Sequence, residues 1–209
     1  MKKYILILMV LLPFYMSFAQ NNNSSDDKLL VFKSSIEQES IGKYAQAILT
    51  MMKIYDKYTD DYIINLRLGW LNYLNKDYNS SVNFYKNAIN ISENKSIEAM
   101  LGITLPLSGR GDWDRVEDYY KKILDLDENN YTANLRLGQI KLNTENYLSA
   151  KSYLSKLIEM YPGDYETNLS LAWTYYYLGD KSTAHDLFIE VLALNPGDES
   201  ALEGLKLIR

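Results

Sequence analysis

From residue 28 onward, hydrophobic residues recur three and four positions apart, with polar residues between them. Residues at these spacings fall on one face of an α-helix, which can then pack against another helix. Pro162, Pro196 and a polar stretch at 127–130 interrupt the pattern, because proline and clustered Asn and Asp residues end helices and form turns. The pattern therefore predicts an all-α fold of consecutive helices joined by short turns.

The helical pattern repeats itself along the chain. The segment NLRLG at 65–69 recurs letter for letter at 134–138 and in altered form at 168–172. On this basis Gly69, Gly102, Gly138 and Ala172 align, with spacings of 33, 36 and 34 residues. We expect each small residue to let two antiparallel helices approach closely, and a large residue further along to fill the space between them. The large residues are Tyr85, Tyr120, Leu154 and Phe188, each preceded by a smaller one at Ser81, Val116, Ala150 and Ala184.

These positions resemble the tetratricopeptide repeat, a helix–turn–helix unit of about 34 residues. The resemblance implies five units over residues 28–198, followed by a C-terminal capping helix. The units are 28–61, 62–94, 95–130, 131–164 and 165–198, and the capping helix is 199–209. The third unit carries two extra residues around 106–111, so we expect its first helix to end early. Stacked units of this kind share one core and form a right-handed superhelical solenoid with a concave face.

The resemblance also implies a binding groove on the concave face, formed by the first helix of each unit. The implied groove residues are Ile63, Leu66, Trp70, Tyr73 and Leu74 in the second unit, Thr132, Leu135, Gln139, Leu142 and Asn143 in the fourth, and Glu166, Leu169, Trp173, Tyr176 and Tyr177 in the fifth. Arg67 and Arg136 flank them. Because Trp, Tyr and Arg dominate binding energy at protein interfaces, we predict a partner protein bound through a peptide or a helix. The alternative for each ring is packing against the next helix.

Composition narrows the class of function. The chain has no cysteine and one histidine, His185, so we predict no catalytic, metal or cofactor site and no enzyme activity. Without the two lysines of the leader described next, 20 basic and 27 acidic side chains remain, a net charge near −7. This charge argues against a nucleic-acid partner, since phosphate binding requires clustered Lys and Arg.

The N-terminus has the layout of a secretory signal peptide. Lys2 and Lys3 precede an apolar run at 4–18, and Ala19 ends a small-residue cleavage site. The run is too short to span a bilayer and contains Pro13, so we predict a cleaved signal at 1–19 and no membrane insertion afterwards. Residues 20–27 are polar and are interpreted as a flexible linker. A new N-terminus at Gln20 resembles the N-termini of secreted proteins of the Bacteroidetes.

Together these features predict a protein-binding scaffold of the cell envelope. The protein would be periplasmic, associated with the outer membrane or secreted. Two alternatives remain open. One is a glycan- or small-ligand-binding protein that uses the same aromatic residues, and the other is a structural component that assembles with itself through an apolar end.

Overall fold

The computed structural model describes residues 26–208. The predicted signal peptide and residues 20–25 of the predicted linker lie outside this range. Asp26 and Asp27 are already helical, so the linker prediction extends two residues too far. The described chain forms two compact units that divide after Arg110, and each is described by itself below.

Every regular element among the described residues is a helix, which confirms the predicted all-α fold. Unit 1 contains α1 (26–40), α2 (Tyr44–Tyr55), α3 (Tyr62–Leu74), α4 (Tyr78–Ile91) and α5 (Ile97–Gly109). Unit 2 contains α6 (Trp113–Leu126), α7 (Tyr131–Asn143), α8 (Tyr147–Met160), α9 (Tyr165–Tyr177), α10 (Lys181–Leu194) and α11 (Glu199–Ile208). Consecutive helices pack together from α2 to α5 and from α6 to α11, and α3 also contacts α5, as α7 contacts α9. This is the arrangement of stacked antiparallel helix pairs.

Local sequence sets the start of most helices. A short polar side chain precedes each of eight helices and accepts a hydrogen bond from the backbone N–H three residues later, which satisfies a donor that the helix itself leaves unpaired. These capping residues are Asp61, Asp77, Ser96, Asn130, Asn146, Asp164, Asp180 and Asp198. The turn inside each repeat contains one residue with a left-handed backbone, at Gly42, Lys76, Gly111, Glu145 and Gly179.

The aligned small and large positions form the core. Ala150, Ala184, Leu154 and Phe188 are all fully buried, and Tyr85 is nearly so. At Ser81 the hydroxyl donates a hydrogen bond of 2.7 Å to the carbonyl oxygen of Gly69. The small residue therefore joins the two helices of its repeat as well as letting them approach closely.

Two expectations for the third repeat are wrong. Helix α5 does not end early but continues through the buried Pro106 to Gly109, with the same 13 residues as α3, α7 and α9. The extra length lies instead before α5, because its first residue is Ile97 rather than a residue near 95. The equivalent of Gly69 in this helix is thus the buried Thr104, and Gly102 lies two positions earlier.

Tyrosine hydroxyls link successive repeats. The first residue of α3, α7 and α9 is a tyrosine whose hydroxyl reaches the polar residue before the first helix of the following repeat. The pairs are Tyr62 with Ser96 at 2.7 Å, Tyr131 with Asp164 at 2.8 Å, and Tyr165 with Asp198. A second repeated link is made by Asn65, Asn134 and Asn168, whose amide N–H groups donate to carbonyl oxygens of the preceding turn. These three tyrosines and three asparagines therefore have structural roles.

The Tyr131 link predicts a pH-dependent stability. Burial, and then the hydrogen bond to the Asp164 carboxylate, raise the pKa of Tyr131 to about 12 from 10. A raised tyrosine pKa stabilises the fold fully below pH 10, and this contribution is lost as pH rises toward 12. We expect Tyr131→Phe to lower the free energy of unfolding at neutral pH by about 1 kcal/mol, and the difference from wild type to shrink above pH 10. Urea unfolding at several pH values measures both.

The matched control is Tyr161→Phe, because the Tyr161 ring packs edge-on against Tyr131 and its hydroxyl has no hydrogen-bond partner in the described chain. Equal losses for the two variants, or a difference for Tyr131→Phe that persists unchanged at high pH, would contradict the assignment.

Candidate binding sites

Unit 1 carries an apolar cleft, here called the unit 1 cleft, with a volume of about 380 Å³. Four of the predicted groove residues line it together: Ile63, Leu66, Arg67 and Trp70. The other lining residues are Phe32 of α1, Tyr85 of α4, and Glu98, Gly102 and Leu105 of α5. The cleft therefore lies among the first helices of successive repeats, where the sequence placed the binding surface.

Two glycines give the cleft its floor. The ring of Tyr85 lies between Gly69 of α3 and Gly102 of α5, and an added Cβ would come within 2.9 Å of the ring at Gly69 and 2.3 Å at Gly102. Without side chains at these positions, both helices approach the ring closely. Burial raises the pKa of Tyr85 well above its usual range, so the floor is neutral at physiological pH.

The polar side of the cleft is already satisfied from within unit 1. Arg67 forms an ion pair with Glu39 of α1 and donates to the Ser35 hydroxyl at 3.0 Å. The indole N–H of Trp70 donates to Glu39 Oε1 at 2.6 Å. Glu39 neutralises Arg67, and the exposed Glu98 carboxylate accepts a hydrogen bond from the Tyr62 hydroxyl at 3.0 Å. The other groups left for a ligand are mainly apolar: Ile63, Leu66 and Leu105.

In unit 2, the predicted aromatic residues form one cluster on α9. The ring of Trp173 lies 5.6 Å from that of Tyr176 and 6.0 Å from that of Tyr177. The Trp173 ring also contacts the buried Phe188 edge-on, and its indole N–H donates to the Ser200 hydroxyl at 2.8 Å. Trp173 thus belongs partly to the core, whereas Tyr177 is exposed.

The prediction that Leu135 lies in the binding groove is wrong. Leu135 is only 2% exposed and lies in the core with Ala150, Leu154, Leu157 and Leu171, so it cannot contact a partner while unit 2 is folded. The position therefore serves packing in the fourth repeat.

The remaining predicted residues lie at or near the surface of their units. Arg136 is exposed and bonds to Gln139 and Glu166. Tyr73 lies beside Trp70, with ring centroids 5.7 Å apart, and Leu74 and Leu169 are half-buried.

Several residues that shape these surfaces were missed from the sequence. Glu39, Glu98 and Leu105 belong to the first and third repeats, for which no groove residues were proposed. Tyr147 is not among the predicted site residues, yet its ring stacks on that of Tyr177 with centroids 4.9 Å apart. Leu105 occupies the same helix position as Trp70 and Trp173. It was not recognised because the third repeat was aligned on Gly102, two residues out of register.

Among the described residues, no group of three or more acidic, histidine or cysteine side chains is arranged to hold a metal ion. In the same part of the chain no helix combines the length and the apolar character needed to cross a membrane.

Comparison with known proteins identifies the fold. Residues 131–164, which contain α7 and α8, match the family model of the tetratricopeptide repeat. A tetratricopeptide repeat protein from Parabacteroides merdae superposes with a TM-score of 0.77 at 16% identity, over 88% of this chain and 72% of that one. YrrB, described as a tetratricopeptide repeat protein with an unusual peptide-binding site, gives 0.69 at 15% identity over 84% and 90%.

A third structure, the C-terminal part of a repeat-containing protein from Cytophaga hutchinsonii, gives a TM-score of 0.71 at 19% identity over 85% and 69% of the chains. No curated protein sequence matches this chain. At these low identities the structural likeness speaks for the fold alone. The chain therefore has the fold of the tetratricopeptide repeat proteins, and its residues 131–164 are a repeat of that family.

Proposed function

We propose that this protein is a protein-binding scaffold that holds an apolar segment of a partner in the unit 1 cleft. The tetratricopeptide fold is generally a non-catalytic scaffold, and YrrB, which shares the fold, has a peptide-binding site. The observation that carries the proposal is the cleft itself, where Ile63 and Leu105 remain 49% and 38% exposed beside Leu66.

The lining of the cleft favours an apolar or aromatic side chain over a charged group. Leu66, Ile63 and Leu105 offer hydrocarbon surface, and burying one large apolar side chain contributes about 1.5–3 kcal/mol. The Arg67 guanidinium is held by Glu39, so it is not free to clamp a carboxylate. This agrees with Leu66 and Leu101, which occupy the same position of α3 and α5 and cannot donate a side-chain hydrogen bond.

Two charge substitutions test the cleft. Peptides selected from a displayed library against the purified chain are measured by fluorescence polarisation against wild type and the variants Ile63→Arg and Leu105→Arg. Because each arginine introduces a charge into the apolar lining, we expect binding to weaken about tenfold or more, which corresponds to roughly 1.4 kcal/mol. The selected peptides should share a large apolar residue.

Leu49→Arg is the matched control, since Leu49 is an exposed leucine of the same unit and is not among the residues that line the cleft. It should bind as wild type does. If all three variants bind equally well, or all three lose binding to the same extent, the cleft is not the site.

We also propose that the protein acts outside the cytoplasm, at the cell envelope. The support is the basic, apolar and small-residue layout of residues 1–19. Expression of the full chain in a bacterial host, followed by fractionation and mass spectrometry of the intact protein, should yield a form that begins at Gln20 in the exported fraction. A product retaining Met1–Ala19 in the cytoplasm would refute export.

A further inference from the structure

Unit 2 has a second pocket that the proposed scaffold function does not use. It lies where the end of α7 and the turn after it meet α8 and α9, and its volume is about 410 Å³. Ligand pockets in proteins have volumes of about 300–1,000 Å³. The lining residues are Leu142, Asn143, Glu145, Tyr147, Trp173 and Tyr177.

Three of the six lining residues are aromatic, and two of their rings are stacked. Tyr147 and Tyr177 stack with centroids 4.9 Å apart and planes 11° apart, and Trp173 lies 6.0 Å from Tyr177 with its plane tilted by 31°. Stacking covers one face of each tyrosine ring, and the aromatic faces that stay open carry negative electrostatic potential. The positive indole N–H edge of Trp173 is taken up by Ser200, a residue that does not line the pocket.

The charge among the residues that line the pocket is negative. Glu145 supplies a carboxylate, Asn143 supplies a neutral amide, and no lysine or arginine lines the pocket. Lys141, which precedes this turn on α7, is paired with Glu117 at 2.7 Å. Glu145 is exposed and has no ion pair among the described residues. Burial, and then the negative charge of Glu145, raise the pKa of the neighbouring Tyr147.

We propose that this pocket binds a quaternary ammonium group. Aromatic faces attract organic cations at distances up to about 6 Å from the ring centroid, and the attraction strengthens when the cation is poorly hydrated. A trimethylammonium group meets both features of the lining: its methyl groups contact the rings and Leu142, and its charge is balanced by Glu145. An ordinary apolar ligand would leave the carboxylate without a role.

Choline and its uncharged isostere 3,3-dimethylbutan-1-ol provide the test, because they have nearly the same shape and differ in charge. Titration of the full chain is followed through the NMR signal of the Trp173 indole N–H. We expect choline to bind about three- to tenfold more tightly than the isostere, within the range that cation–π attraction supplies. Glu145→Gln and Tyr177→Leu should each weaken choline binding several-fold.

The controls are Glu190→Gln and Tyr161→Leu, which change an exposed carboxylate and an exposed tyrosine of unit 2 outside the pocket. Both should bind choline as wild type does, and circular dichroism checks that every variant is folded. Equal affinity for choline and the isostere would overturn the proposal, as would binding of methyl glucoside in place of choline. Vesicles of phosphatidylcholine, compared with free choline, show whether a lipid headgroup or a free compound is the better source of the group.

Discussion

Replacing Phe188 by alanine is expected to lower the free energy of unfolding by about 3–5 kcal/mol. The side chain is fully buried in the core of unit 2, with Ala172, Ala184, Val191 and Ala201 around it. Its ring contacts Trp173 edge-on at 5.1 Å and lies against Gly204. The buried neighbours Ala172, Ala184 and Ala201 and the adjacent Gly204 are too small to fill the space that the ring leaves, so much of the cavity persists. Urea unfolding followed by circular dichroism measures the loss.

The adjacent residue supplies the control. Ile189 is 45% exposed on the same helix, so Ile189→Ala should cost well under half as much. If Phe188→Ala and Ile189→Ala destabilise the protein equally, the large position of this repeat does not carry the packing assigned to it.

The second large effect is expected at Gly138, the glycine of the repeated NLRLG segment. A Cβ added there would lie 2.5 Å from Cγ of Leu154, which is fully buried and cannot move aside. Gly138→Val should therefore force α7 and α8 apart and cost about 3 kcal/mol, at the upper end for overpacked cores. Thermal or urea unfolding of the full chain reports the change.

Gly163→Val is the matched control, since a Cβ at Gly163 meets nothing within 4 Å and its backbone is not left-handed. It should leave the stability near that of wild type. A stable Gly138→Val variant would mean that close approach of the two helices is not what this glycine provides.

The sequence was a good guide wherever one repeat could be compared with another. Ala150, Leu154, Ala184 and Phe188 were assigned to the core from their spacing, and all are buried. The assignment failed at Gly102, because a glycine was matched by residue type although the helix register shifts by two. Gly102 packs against Tyr85 of the preceding repeat, whereas Gly69 packs against Tyr85 of its own repeat. Both contacts require a small residue, so the residue type alone did not show which of the two contacts each glycine makes.

The candidate sites were predictable only in part. Ile63, Leu66, Arg67 and Trp70 were proposed as groove residues and do line one cleft. These four residues alone do not determine whether the ligand is charged or apolar, because the sequence did not show that Glu39 neutralises Arg67. That pairing joins residues 28 positions apart, and it depends on how α1 lies against α3.

The sequence by itself determined the helices, their caps and the faces that pack, because these follow from contacts a few residues apart and from a regular period. The tertiary structure decided which first-helix residues stay open. Leu66 and Leu135 occupy the same position in their repeats, yet one lines a cleft and the other is buried. Helix α5 brings Gly102 toward Leu66 and leaves space, whereas Leu171 of α9 joins Leu135 in a filled core. Exposure at a repeat position depends on the volume of the side chains that the adjacent helices supply, which the position's own residue does not encode.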